Sequence, residues 1–410
     1  MPNEARTLPD PPMDRPANRQ ARFFVALAIM VALLNSTAAS PLYTSYRVMW
    51  SLDAFTVAFI FAVYAFGTLI ALFVLGRLSD RMRDRRLPII LSLLIVIAGA
   101  LIFASAGNLV TLSIGRLLAG AGTGGLTGVA NAALIELDPK NDARANAVLA
   151  TAVFTLGCAL GPVISSAALH FDAWPLHLPF ILIAALAVIA ILGLATASWQ
   201  PAPRVAPIAA AVAGQAAPAG RYTAFAIAAG ALIIAWAVGS TFAGLGVTFV
   251  HELLGVDSQA ASGVIVAAFQ AVAGISQLAS QRLDSNRAMV LGTSLIALAI
   301  LLCAYAIWTG SPLFFVLGTI GSGLGYGAAF VGSAGIVNRI APPDRRATWV
   351  SAYYITGYLA NALPVLALGF LGDQLGLFGA FLCLTVFTVV GTITVNGAAR
   401  LVLPRPGRRR

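Results

Sequence analysis

Charge is what this chain has least of. Asp, Glu, Lys and Arg together make up 10% of its 410 residues, against 59% hydrophobic residues, a balance far from that of a soluble domain. So little polar surface cannot cover a water-exposed globule, which excludes soluble enzymes and soluble binding modules. Cysteine is nearly absent, and Cys158, Cys303 and Cys383 all fall in apolar runs. An odd number of such thiols gives no disulfide framework, and no metal-ligand spacing surrounds them. Neither a metal nor a cofactor is implied. No nucleotide-binding loop or cluster of nucleophile, base and acid is present, so no enzyme is expected. Residues 1–21 are polar and proline-rich, which reads as a disordered tail and not a signal peptide.

Long apolar runs are what remains. About 20 apolar residues cross a bilayer core of roughly 30 Å as a helix, and twelve such spans are drawn at residues 22–42, 54–76, 88–106, 109–135, 147–169, 177–198, 223–249, 260–280, 288–308, 312–337, 348–370 and 378–400. The net charge of +10 raises the question of an acidic partner or nucleic acid. With these spans, 23 of the 25 Lys and Arg lie on one side of the membrane; Arg47 lies opposite and Arg116 lies inside a span. The basicity is topological and no nucleic acid is expected. The positive-inside bias puts the basic loops and both termini in the cytoplasm. Trp50, Trp174, Trp199, Trp308 and Trp349 fall at or just outside span ends, as interfacial anchoring predicts. Trp236 does not.

Residues 200–221 turn to Pro, Ala and Gly, a cytoplasmic linker composition. It separates a bundle of six helices at 22–199 from a second at 222–402, with a basic tail at 403–410. The two sets are similar. Asp142-Ala143-Arg144-Ala145 recurs as Asp344-Arg345-Arg346-Ala347, 202 residues later, and Pro162 recurs at the same offset as Pro364. Ser79-Asp80-Arg81 recurs in worn form as Ser280-Gln281-Arg282.

The stretch from Gly76 to Arg86, Gly-Arg-Leu-Ser-Asp-Arg-Met-Arg-Asp-Arg-Arg, packs five arginines between two apolar runs. Its Gly, three residues, Asp-Arg and following arginines resemble the loop 2–3 signature of the major facilitator superfamily of transporters, although Arg83 stands where a second glycine is usual. The resemblance covers residues 22–400. It implies an all-α integral membrane protein of twelve helices in two pseudo-symmetric six-helix bundles, with a substrate site near midplane. It also implies a conformational latch built from Gly76, Asp80, Arg81 and Arg85. Asp80 would meet the positive start of the eleventh span near residues 347–350, and Arg81 would meet Glu136 or Asp138.

Arg116 precedes Gly120 and Gly122 in the fourth span, an arrangement similar to a superfamily motif implicated in proton coupling. An arginine near a helix centre costs about 2.5–3.5 kcal/mol on insertion scales; snorkelling to the interface is the plain alternative. Gly120, Gly122 and Gly125 also spell a dinucleotide fingerprint, in the wrong context for one. Gly120, Gly124 and Gly128 share one helix face, as do Gly321 with Gly325 and Gly323 with Gly327, which allows close helix packing in lipid. Gly157 and Gly161-Pro162, followed by Ser165-Ser166, resemble the antiporter motif of exporters in the superfamily, with a proline that bends its helix.

Midplane polar and aromatic residues supply the substrate-site candidates: Asn35, Asn131, Trp236, Gln270, Tyr326, Tyr354, Tyr358 and Asn361. Tyr354, Tyr358 and Asn361 lie at i, i+4 and i+7 and so share a face. The cavity expected from these is roomy and largely apolar. His251-Glu252 with Asp257 reads as a solvated outer loop, the alternative being a proton-sensing cluster on the outer side. The chain most resembles bacterial drug–proton antiporters, implying proton-coupled efflux of a small organic molecule from the bacterial inner membrane by a monomer. No carboxylate lies deep in a span to carry the proton. The rival readings are an organic-anion permease with Arg116 as substrate ligand, and a membrane sensor or enzyme.

Overall fold

The computed structural model describes residues 16–81, 84–138, 142–200, 220–342 and 345–403. Every regular element among them is helical: α1 (Pro16–Ala38), a 3-10 turn (Ser40–Leu42), α2 (Tyr43–Trp50), α3 (Ala54–Arg81), α4 (Arg86–Ala104), α5 (Leu109–Glu136), α6 (Ala143–His170), α7 (Leu178–Thr196), α8 (Arg221–Leu254), α9 (Gln259–Ser280), α10 (Ser285–Thr309), α11 (Pro312–Ile340) and α12 (Arg346–Val402). Among the described residues, 11 helices are long and apolar enough to cross a membrane.

Two differences from the expected spans have physical causes. The last two expected spans follow one another in α12, whose 57 residues are two helices joined across a kink. A straight helix of that length would run to about 85 Å, far beyond one bilayer. Gly376 breaks the path with φ 75° and ψ 160°, a conformation that only glycine adopts readily. At the other end of the chain, α1 begins at Pro16, inside the stretch expected to be a disordered tail. Asn18 is held there by donating to the Gln200 carbonyl at 3.0 Å, and Arg22 is tied to Asp138 and Asn146. Residues 1–15, the linker stretch 201–219 and the tail 404–410 lie outside the described residues.

Local chemistry sets most boundaries. Asn108, Ser258 and Asp284 cap the starts of α5, α9 and α10 with side-chain acceptors, and Gly255 and Gly310 end α8 and α10 in the left-handed conformation. Between helices, small residues permit close approach. A Cβ on Gly120 would stand 2.0 Å from the Tyr64 carbonyl oxygen, and one on Gly124 2.5 Å from that of Thr68, so α5 lies backbone to backbone against α3. Gly321 and Gly325 face α10, while Gly323 and Gly327 face α9, as their spacing predicts. Gly128 differs from its expected role: a Cβ there meets nothing within 4 Å, because it opens on a cavity.

The first and last parts of the chain meet along two seams, α3 against α12 and α6 against α9. Gly369 brings α12 onto Ala54, Phe55 and Ala58 of α3, and Gly274 brings α9 onto Thr155 of α6. The helices leave a space between these seams.

Candidate functional site

That space is lined by α1, α3, α5, α6, α8, α9, α11 and α12. Its central part, about 120 Å3, is bounded by Tyr64, Thr123, Thr155, Trp236, Gln270, Gln277, Tyr326, Tyr358 and Asn361 among others. A larger part of about 340 Å3 adjoins it through the shared walls Thr127, Phe154, Trp236, Gln277 and Tyr358, and continues past Asn131, Thr151, Phe330 and Tyr354. These last residues lie toward the Arg-rich ends of their helices, so the space deepens from the centre toward that end.

Seven expected residues therefore meet at one cavity: Asn131, Trp236, Gln270, Tyr326, Tyr354, Tyr358 and Asn361. Tyr358 lies 5.2 Å from the Trp236 ring, edge-on, and Phe330 6.2 Å from it. Asn35 is the exception. It is buried but lines neither part of the cavity, because its helix presents the neighbouring Ser36 there. Sequence reasoning missed Tyr64, Thr127, Thr155 and Gln277. Gln277 is two turns from Gln270 on α9, a spacing that puts both amides on one face; the hydroxyl residues carry no such signal.

Arg116 is 1% exposed, so it does not snorkel. Its Nη1 donates to the Ser36 carbonyl oxygen at 3.0 Å, in the last turn of α1, where helix carbonyls lack intrahelical partners and the helix end is partly negative. Tyr64, Tyr43 and Phe61 surround the guanidinium at 4.8, 5.8 and 5.9 Å to their ring centroids. Ser165 supplies a second donor to the same helix end, to the Ala38 carbonyl oxygen at 2.6 Å. Gly157 and Gly161 lie against the α1 backbone at Met30 and Leu34, and α6 runs on as helix through Pro162. The antiporter-like segment is thus the packing surface of α6 on α1.

At the Arg-rich end, Glu136 accepts from Arg85 Nε at 2.9 Å. Asp138 accepts from Arg22 at 3.1 Å, from Asn146 at 2.8 Å and from the Asp142 backbone N–H at 2.9 Å. The side chains of Asp80 and Arg81, and with them the expected latch contacts, lie outside the described residues, as do the surroundings of Gly76.

The opposite end carries a polar closure that sequence reasoning did not anticipate. Asp373 of α12 accepts from the backbone N–H groups of Ala54 and Phe55 at 2.8 and 2.9 Å, and Asp53 accepts from that of Thr56 at 2.7 Å. Two carboxylates thereby satisfy the orphan donors at the start of α3. The Thr56 hydrogen bonds hold the Asp53 carboxyl below the usual carboxylate range. Glu252, expected in a solvated loop, forms an ion pair with Arg47 of α2. His251 is hydrogen-bonded to the Val256 carbonyl at 2.9 Å.

A family model described as Major Facilitator Superfamily matches residues 25–283 and again residues 231–410. The fold is similar to that of a bacterial homologue of the human lysosomal transporter Spinster in an inward-facing, unoccupied conformation (TM-score 0.78, 15% identity, 96% of this chain and 100% of that one). It is also similar to a POT family transporter in complex with 5-aminolevulinic acid (0.74, 16%, 94% and 96%) and to the nucleoside transporter NupG (0.73, 15%, 92% and 99%). No sequence relative among curated proteins matches.

Proposed function

The chain belongs to the Major Facilitator Superfamily, and from that premise we propose that it is a proton-coupled exporter of a small organic molecule working by alternating access. The observation that carries the reading is the central cavity between the α3–α12 and α6–α9 seams, closed by carboxylate contacts at one end and deepening toward the other. A site at midplane between two packed helix sets is where a rocking transporter holds its substrate. The Gly376 break makes two spans of α12, giving twelve in two sets of six joined near residues 200–221. The Arg-rich end is cytoplasmic by the positive-inside bias, so both termini are cytoplasmic and the present form opens inward in the inner membrane of a bacterium. The transporter is a monomer.

Export rests on the antiporter-like Gly157 and Gly161-Pro162, and the latch on Asp80 and Arg81 with Arg85–Glu136 behind them. Arg116 belongs to the coupling machinery more readily than to an anion site, since it is committed to the end of α1 and lines neither part of the cavity. The test is accumulation of cationic, neutral and anionic fluorescent compounds in energised bacterial cells carrying wild type, Asp80→Asn, Arg116→Gln or empty vector. Lower accumulation in wild type alone, erased by a protonophore, is expected. Higher accumulation of anions, lost in Arg116→Gln, would replace export by anion uptake.

A further inference from the structure

Building on the transporter reading, we infer that the substrate is an uncharged molecule with a planar ring bearing hydrogen-bonding groups, and that the side-chain amide of Gln277 bonds to one of those groups. Among the described residues, Asp, Glu, Lys, Arg and His are all absent from the lining of both parts of the cavity. An ion leaving water for such a site loses hydration that only a charged or fully hydrogen-bonded partner returns. Aromatic faces return part of it to a cation, but Arg116 stands behind Tyr64 and Phe61, two of the wall residues. Its fixed positive charge raises the potential inside and works against a cation. The same field draws an anion no more strongly than it repels a cation, and the guanidinium, which donates to the Ser36 carbonyl and lines neither part of the cavity, offers an anion no direct hydrogen bond to replace its hydration. Neutral ligands are what both effects leave.

The wall also shows what such a ligand must offer. Gln270, Gln277, Asn131 and Asn361 line the space, and none of these amides has a hydrogen-bond partner among the described residues. Gln277 is the amide common to both parts of the cavity. An amide enclosed in this way is costly unless a ligand supplies its hydrogen bonds. Amides that both donate and accept match carbonyl, hydroxyl and ring-nitrogen groups. Phe330 and Tyr358 each pack on Trp236, and the three present flat apolar surface beside those amides, the arrangement that holds a ring. At about 340 Å3 the larger part suits a molecule of one or two rings.

The test uses matched triads on coumarin and quinoline scaffolds: a neutral methoxy compound, a carboxylate-bearing derivative and a trimethylammonium-bearing derivative. Equilibrium dialysis against the full-length protein in lipid nanodiscs gives Kd for each. At least one neutral member is expected to bind roughly tenfold or more tighter than its two charged counterparts, a gap of about 1.4 kcal/mol. Gln277→Leu keeps the size and removes the amide, and is expected to weaken that neutral compound about five- to tenfold with an unchanged melting temperature. Equal or tighter binding of either ion, no binding by any neutral member, or an undiminished affinity in Gln277→Leu overturns the inference. Flux into proteoliposomes separates the two levels of argument. Neutral binding without flux refutes transport and leaves the site intact, whereas flux of an ionic member alone refutes the site and leaves transport standing.

Discussion

At the scale of single residues, Arg116 is where sequence and structure say most about each other. The sequence showed an arginine where a charge is expensive; the structure shows what holds it. Helix α1 ends inside the protein at Ala38, and its last-turn carbonyls need donors that lipid cannot supply. Arg116 serves Ser36 and Ser165 serves Ala38. Truncation in Arg116→Ala is therefore expected to lower stability by about 2–4 kcal/mol, from an unmet carbonyl together with the lost packing. Arg116→Gln keeps an N–H donor without the charge and is expected to hold the melting temperature within a few degrees. Thermal unfolding of both variants in detergent decides the matter. An Arg116→Ala protein as stable as wild type would mean that the end of α1 needs no such cap. If Arg116→Gln is stable but moves no substrate, the charge acts in transport beyond its structural place.

At the scale of elements, helices were the most legible part, since most span boundaries drawn from apolar runs fall within a few residues of the observed ends. Periodicity could not show that α3 and α5 touch backbone to backbone, but glycine spacing pointed at it. The face drawn through Gly120, Gly124 and Gly128 was two-thirds right: two positions pack, and the third opens on the cavity. These positions make opposite predictions for one added methyl. In Gly120→Ala the Cβ would meet the Tyr64 carbonyl oxygen at 2.0 Å and the Thr68 nitrogen at 3.0 Å, neither of which can rotate away. Overpacking of this kind is expected to cost about 1–3 kcal/mol or more. Gly128→Ala meets nothing and gains up to about 1 kcal/mol of helix propensity. Melting temperatures should therefore move apart, down for the first and level or up for the second. A Gly120→Ala protein as stable as wild type would show that the two helices are not locked at that crossing.

At the scale of the whole molecule, the legible part of the site was its chemistry and the illegible part its closure. Trp236, Gln270, Tyr358 and Asn361 stood out because polar and aromatic groups are rare in apolar spans. Asp373 did not, because a carboxylate beyond a span end reads as solvated until the start of α3 is placed beside it. There it accepts from two backbone N–H groups. The resemblance of the Gly76–Arg86 stretch to the superfamily signature implies the converse at the Arg-rich end, with Asp80 from the end of α3 meeting the start of α12. Helices α3 and α12 would then each carry a carboxylate for the other's positive end, one engaged when the cavity opens inward and the other when it opens outward. Losing the Asp373 contact removes a cap worth roughly 1–2 kcal/mol, which corresponds to about a tenfold shift in the ratio of the two forms. Cys158 reports that ratio because it lines the central cavity. In a background where Cys303 and Cys383 are serine, a membrane-impermeant thiol reagent should label Cys158 of Asp373→Ala about tenfold faster from the end opposite the arginines. Asp80→Asn should move labelling the other way. Unchanged rates from both sides in Asp373→Ala would mean that its carboxylate fastens a helix end without governing which way the cavity opens.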